Sequence, residues 1–365
     1  LGYGARSRRI WTAESDRTSA IAEGISRDKE LTKTLLSACG VPVPEGRRVD
    51  SAADAWEAAE DIGLPVVVKP SDGNHARGVF TNLVAREEVE SAYAAAVEEG
   101  SGVLVERYIR GSEHRLLVIG GKLVAAARGE TAKVIGDGQS TIHQLIDAQI
   151  NSDPRRGAAE EFPLDVIDLA DNPVANLEVS RQGFTGDSIP PAGREVLIVR
   201  SGNHTDDVTD RVHPDTAEIA SLAVRIVGLD IAGVDLVCED IAKPLDVQRG
   251  AIVEVNAGPG LLMHLKPESG QPRPVGRAIV DLLFPNGDDG RIPVVGISGS
   301  SGKTAVAHLL AHLLILAGKR TGLACSKGLF LDQRRLQPQD SANWGAAHRL
   351  LMNRVVEAAV LENGS

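Results

Sequence analysis

The sequence predicts two successive units, a mixed helix-and-strand domain over residues 26–285 and the start of an α/β unit over 286–365. Three observations carry that reading. The runs 228–237 (GLDIAGVDLV) and 252–260 (IVEVNAGPG) are rich in Val and Ile and read as buried strands, yet they hold Asp235, Glu254 and Asn256. The polar, Gly- and Pro-bearing stretch PNGDDGRIP at 285–293 reads as a linker. Beyond it, VVGI, a Gly/Ser loop and a helix over 303–317 follow as strand, turn and helix.

The 365 residues suffice for two or three domains with ordinary cores. With 42% hydrophobic and 24% charged residues the chain is globular in composition, and no apolar run is long enough to span a bilayer. The chain starts at Leu1 without a signal-peptide pattern and reads as a fragment of a cytoplasmic protein. A net charge of −11 argues against a nucleic-acid partner. Cys39, Cys238 and Cys325 lie too far apart for a disulfide framework or a zinc site, so they are expected as small core residues in a reducing compartment.

In order along the chain, residues 1–25 show little periodicity and read as the end of a preceding N-terminal domain or a linker. Ser26 is the expected N-cap of a helix running to Ala38, with Gly40 as its stop. VPVP at 41–44 enforces extended chain, and Ser51 caps a second helix that ends at Gly63. LPVVVKP at 64–70 reads as a buried strand and SDGNHARGV at 71–79 as a polar glycine loop. A helix over 86–98, a strand over 102–109 and a hairpin turning at Gly120-Gly121 follow. The stretch 129–195 is expected as a loop or lid excursion, with one short helix after GDGQST. A helix over 215–227 then leads into the acidic strands, and no internal repeat is present.

Several residues along this path suit a nucleotide. Lys69 ends an apolar strand beside a glycine loop, where an ammonium meets phosphate oxygens as a point charge. Lys29 falls in a first helical turn, where a cation opposes the helix dipole, a mismatch that favours a functional role. The loop 72–78 offers backbone N–H groups that can wrap phosphates. Glu106 to Ile109 follow a strand that can present backbone groups to an adenine edge, and the Glu113 carboxylate can accept from ribose hydroxyls. Taken singly, Lys69 is better explained as a solvated lysine at a loop edge and Glu106 to Glu113 as an exposed acidic rim, and a lone glycine loop is weak evidence. Asp235, Glu254 and Asn256 are different, because acidic side chains on apolar strands need a partner, and Mg²⁺ takes oxygen ligands together with substrate phosphates.

As an ordered set, Lys29, Lys69, the glycine loop, Glu106, Glu113, Asp235, Glu254 and Asn256 resemble the ATP-grasp superfamily over roughly residues 20–285. The resemblance implies an α+β ATP-grasp fold whose two lobes clamp ATP and Mg²⁺. It implies that Lys29 and Lys69 contact ATP, with Lys69 on the phosphates. The loop residues Gly73, Asn74, His75 and Gly78 would cover the phosphates, and His75 would lie over the γ-phosphate. Glu106, Arg107 and Ile109 would line the adenine pocket, Glu113 would bind ribose, and Asp235, Glu254 and Asn256 would hold the metal. The implied chemistry is activation of a carboxylate as an acylphosphate followed by amine attack.

The second unit carries Gly299-Ser300-Ser301-Gly302-Lys303-Thr304 between a strand and a helix. The full P-loop pattern fails at Ile297, but the shorter run is similar to the Mur-ligase version of the P-loop. By that resemblance Gly299, Gly302 and Lys303 bind phosphates, Thr304 reaches Mg²⁺, and Glu362 stands where Mur ligases place a metal-binding Glu. An ATP-grasp module followed directly by such a P-loop resembles the cyanophycin synthetases, as do LGYGARSRRI, GVPVPEG, EVNAGPG and MHLKPESGQPR. This implies addition of aspartate to a poly-aspartate primer in the first module and of arginine to the aspartate side chains in the second. Lys69, His75 and Arg115 would be the catalytic residues, Glu23 and Arg115 would contact the polymer, and the protein would form a homo-oligomer.

The sequence departs from the family pattern at Ala76, at Leu262, and in the second unit at Ser300, Ser301, Ala305, Cys325-Ser326 and Asn363. The second site therefore departs more than the first. Three alternatives stand beside the main reading: a polymerase of β-aspartyl-arginine dipeptides, a glutathione-synthetase-like ligase, and a nucleotide-binding scaffold without activity.

Overall fold

The computed structural model describes residues 1–71, 78–157, 162 and 164–364. The chain divides into two compact units, Thr12–Ile279 and a smaller one made of Leu1–Trp11 with Val280–Ser365. Among the described residues no helix is long and apolar enough to cross a membrane.

The larger unit starts with two short helices, α1 (Ala20–Arg27) and α2 (Lys29–Ala38). Here the structure corrects the expectation that Ser26 caps one helix. Ser19 caps α1 by accepting from the Ala22 N–H, and Asp28 caps α2 by accepting from the Leu31 N–H at 3.0 Å. Ser26 lies inside α1 and donates its hydroxyl to the Glu23 carbonyl. Asp28 serves because a short acidic side chain both accepts from free N–H groups and favours the positive end of the helix. The segment ahead of α1 is bound by side-chain hydroxyls, since Ser15 and Thr18 donate to the two oxygens of Asp230. Apolar periodicity carries no signal for such an attachment.

A four-stranded antiparallel sheet follows, formed by β1 (Gly46–Val49), β2 (Val66–Pro70), β3 (Phe80–Leu83) and β4 (Val103–Arg107) in the order β1-β4-β2-β3. Helices α3 (Ala52–Ile62) and α4 (Arg86–Glu99) cover it, with Ser51 capping α3 as expected. Small residues on the helices (Ala55, Ala58, Ala59, Ala92, Ala96) meet Val66, Val68 and Val105 of the sheet in one core. Their lack of bulk lets the helices sit close to the strands.

The second sheet is five-stranded and antiparallel. It contains β5 (Ser112–Ile119), β6 (Lys122–Ile135), β7 (Glu195–Asp207), β8 (Ile231–Cys238) and β9 (Ala251–Ala257), in the order β9-β8-β5-β6-β7. Helix α2 and the helix Pro214–Val227 lie against it, joining Leu36, Ala220 and Val224 to Leu116, Val234, Leu236 and Ile252.

The stretch 129–195 is more than a loop, which corrects that part of the expectation. It holds the end of β6, a helix Ile142–Ile146 with a Thr141/Gln144 capping box, and a helix Pro173–Arg181. These surround a core of their own that includes Val134, Leu145, Ile146, Val179 and Val196. Pro173 occupies the first turn of its helix behind the Asn172 cap, where its missing N–H costs nothing.

The smaller unit has β10 (Val294–Ile297), α5 (Lys303–Leu316), β11 (Thr321–Cys325), a hairpin (Gly328–Leu331 with Arg334–Gln337), a helix Trp344–Leu351 and β12 (Ala358–Glu362). Strand β12 lies between β10 and β11 and runs parallel to both. Residues 1–11 join this unit through backbone bonds from Tyr3 to Gly290 and from Ala5 to Val356.

Candidate nucleotide and metal site

Strands β8 and β9 place Asp235 directly opposite Glu254, and Asn256 opposite Gly233. The three side chains that the apolar strands made conspicuous therefore meet at one place. The Asn256 amide N–H bonds to Asp235 at 3.0 Å and reaches Glu254 at 3.4 Å. On its other side Asp235 pairs with Arg115, its partner across the β5–β8 ladder. A Cβ at Gly233 would lie 3.2 Å from the Arg115 guanidinium and 3.0 Å from Pro259, so glycine is what lets the arginine lie across the strand.

Burial, together with the carboxylates of Glu113 and Glu254, pushes the Asp235 pKa up to about 7 against the pull of Arg115. Burial also acts to raise Glu254, but Lys29 and Lys69 prevail and hold it below the usual carboxylate range. A buried carboxylate (Asp235), a half-buried one (Glu254) and an amide at facing strand positions form the oxygen donor set that a hard cation takes, and the repulsion between the carboxylates is what a cation would relieve. The residues fit Mg²⁺. Among the described residues no cluster of three His, Cys, Asp or Glu side chains offers another metal site.

Lys29, the first residue of α2, explains its place in that turn by an ion pair with Glu254 at 3.1 Å. Lys69, on β2, pairs with Glu106 on β4 at 3.0 Å. Burial lowers the Lys69 pKa, but Glu106 and Glu254 outweigh it and the ammonium stays charged. Glu106 is only 3% exposed, and both its oxygens are taken, one by Lys69 and one by Lys33. Lys33 went unnoticed in the sequence. Its one visible signal is that it follows Lys29 by four residues and shares its helix face.

The rest of the expected adenine edge is arranged differently from a row of free groups. The Arg107 N–H bonds to the Glu45 carbonyl and the Tyr108 N–H to the Pro65 carbonyl. The Arg107 side chain pairs with Glu45 at 2.7 Å, while Ile109 is half-buried. Glu113 faces Val237 across the β5–β8 ladder and lies close enough to Arg115 and Asp235 to act on both. Glu23 pairs with Arg27 one turn on in α1. Gly78 has a φ of +66° with Pro70 against its open side, a conformation that suits glycine. Gly73, Asn74 and His75 lie outside the described residues.

In the smaller unit, Gly302 stands at the N-terminus of α5 with a φ of +76°, and Lys303 and Thr304 open the helix. The Thr304 hydroxyl donates to Glu362 at 3.0 Å and lies 2.9 Å from that of Ser326. Ser326 also gives its N–H to the other Glu362 oxygen at 3.0 Å. Asn363, a departure from the family pattern, latches the loop by bonding its amide to the Ser298 hydroxyl at 2.7 Å. Thr304 and Glu362, which the sequence singled out, therefore meet, and Ser326 joins them. A hydroxyl pair and a carboxylate below a helix N-terminus can hold a cation and the phosphate it accompanies.

The model of the ATP-grasp domain matches residues 20–121. The chain is 42% identical over 368 residues to a cyanophycin synthetase of Trichormus variabilis, covering 99% of this chain and 40% of that protein. It is 40% identical over 370 residues to the cyanophycin synthetase of a Synechocystis species, covering 99% of this chain and 42% of that protein. A glutathione biosynthesis bifunctional protein of Clostridium perfringens is 32% identical over 282 residues, covering 74% of this chain and 36% of that protein. The chain thus spans about 40% of the length of these synthetases. The match to the glutathione protein covers less of the chain, whereas the match to the synthetases runs through both units.

Proposed function

The chain is a relative of the cyanophycin synthetases across nearly its whole length and carries an ATP-grasp domain, and from that premise we propose that it extends cyanophycin as an ATP-dependent ligase. In this reading the larger unit adds aspartate to the C-terminal carboxylate of a cyanophycin primer. The γ-phosphoryl group of ATP passes to that carboxylate, giving an acylphosphate and ADP. The aspartate amine then attacks the carbonyl carbon, phosphate departs with the bonding pair, and an amide remains once the amine has lost its proton.

Lys69 and Lys29 bring positive charge to the phosphates, and they act mainly by position and electrostatics. Asp235, Glu254 and Asn256 hold Mg²⁺, which when bound neutralises charge on the transferring phosphoryl. Arg115 supplies a guanidinium suited to the primer carboxylate. Glu106, Arg107, Ile109 and Glu113 belong to the nucleoside side of the site, and Glu23 to the polymer side. In the smaller unit Gly299, Gly302, Lys303, Thr304 and Glu362 serve a second ATP-dependent step, addition of arginine to the aspartate side chain. The observation that carries the proposal is the meeting of Asp235, Glu254 and Asn256 on facing strands, with Lys29 3.1 Å from Glu254.

Purified protein with ATP, Mg²⁺ and primer, given aspartate, arginine or β-aspartyl-arginine separately, tests it by phosphate release. The proposal expects primer-dependent release with aspartate. Release with the dipeptide alone would make the protein a dipeptide polymerase, and no release with any donor would leave a nucleotide-binding scaffold.

A further inference from the structure

Glu106 sits in the apolar lobe of the four-stranded sheet with two ammonium groups on it. One comes from β2 and is the Lys69 ammonium, 3.0 Å from one carboxylate oxygen. The other comes from α2 and is the Lys33 ammonium, in contact with the second oxygen. All three side chains are largely screened from water, with side-chain exposures of 14% for Lys33, 9% for Lys69 and 4% for Glu106. Two cations on one buried anion is an expensive arrangement unless a further anion is to arrive, because each unbalanced charge has lost its hydration.

Helix α2 shows the same economy twice. Lys29 and Lys33 are one turn apart and would repel each other on a free helix. Each instead finds its own carboxylate, Lys29 on Glu254 of β9 and Lys33 on Glu106 of β4. A single helical turn thereby ties the metal strands of one sheet to the phosphate-side lysine of the other.

We propose that Lys33 is a positioning residue, a standing counter-ion to Glu106 that releases Lys69 to the phosphates of bound ATP. If Lys69 were the sole partner, turning its ammonium to a phosphate would leave the Glu106 carboxylate buried and uncompensated, and binding would be weakened by that penalty. With Lys33 in place the carboxylate keeps a cation whichever way Lys69 turns. The proposal rests on the assignment of Lys69 to the phosphates.

The ionisation of Lys33 agrees with this arrangement. Burial and repulsion from Lys69 bring its pKa down to about 7, against the attraction of Glu106. The charged groups that face it are Lys69 from β2 and Glu106 from β4. Once Lys33 loses its proton, Lys69 becomes the only cation on Glu106 and is held there. ATP affinity is therefore expected to fall as pH rises through neutrality.

The test is ATP affinity in Mg²⁺, read by calorimetry on the full chain for wild type and for Lys33→Met, Lys33→Arg, Lys69→Met, Glu106→Gln and Lys33→Met/Glu106→Gln. Lys33→Met is expected to weaken ATP at least about tenfold, as loss of one partner of a buried charged pair does, and Lys33→Arg to recover most of that loss. The neutral-pH decline should vanish in Lys33→Arg, whose guanidinium stays charged. In the Glu106→Gln background no carboxylate needs a counter-ion, so adding Lys33→Met should have little further effect. That double variant also covers the case in which Lys33→Met alone does not fold. Wild-type affinity in Lys33→Met, or an equal loss in the Glu106→Gln background, would overturn the role of Lys33. Wild-type affinity in Lys69→Met would instead overturn the assignment of Lys69.

Discussion

Lys69 shows how one residue's surroundings decide its use. An ammonium buried on an apolar strand would ordinarily shed its proton, but Glu106 at 3.0 Å and the field of Glu254 keep it charged. In the proposed role the group meets ATP as a preformed cation. Replacing Lys69 with Ala is expected to lower primer-dependent ATP turnover roughly 10²–10³-fold, the scale seen when one preorganised donor to a developing charge is lost. Phosphate release under saturating ATP checks this, and unchanged turnover would remove Lys69 from the phosphates. Asp235, Glu254 and Asn256 were legible in the sequence because polar oxygens on Val- and Ile-rich strands demand an explanation. Lys33 was not, since a lysine on a helix that could face water looks like any solvated lysine until β4 is seen to place Glu106 beneath it.

Among the elements, those with caps and strict apolar runs were readable, while those held by other means were not. Ser51 marked α3 and Gly120-Gly121 marked the β5–β6 hairpin, and both stand where the sequence put them. Helix α1 was missed because it is short, contains Gly24, and follows a segment attached by hydroxyls to Asp230. The break between α1 and α2 depends on Asp28, and Asp28→Ala is expected to cost about 1 kcal/mol of stability, measured by urea unfolding.

A second element-scale prediction concerns the short helix Leu262–Leu265, which carries His264 beside β6 and β7. Burial brings the pKa of His264, and likewise that of His114 on β5, down to about 4. Both fall below the value of about 6.5 for an unfolded histidine. As pH falls from 6.5 towards 4, the unfolded chain takes up protons that the folded chain refuses, so stability must fall across that window. The melting temperature should drop between pH 7 and pH 5, and less so in a His264→Gln variant. A flat profile would mean that these rings are not buried in the neutral form.

At the scale of the whole molecule, the two units hold two candidate nucleotide sites of unlike design. One is a pair of antiparallel sheets with charges on facing strands, the other a mixed sheet with a glycine turn at a helix N-terminus. The second departs more from the family pattern, yet Thr304 still bonds to Glu362 and Ser326 stands where its hydroxyl joins them. Lys303→Ala is accordingly expected to remove arginine incorporation and to spare aspartate addition. The most direct test of the two-step account is the mass of a cyanophycin primer after incubation with ATP, Mg²⁺, aspartate and arginine. The account predicts growth by aspartate and arginine with the wild type, by aspartate alone with Lys303→Ala, and no growth with Lys69→Ala. Aspartate added by the Lys69→Ala protein at the wild-type rate would contradict it.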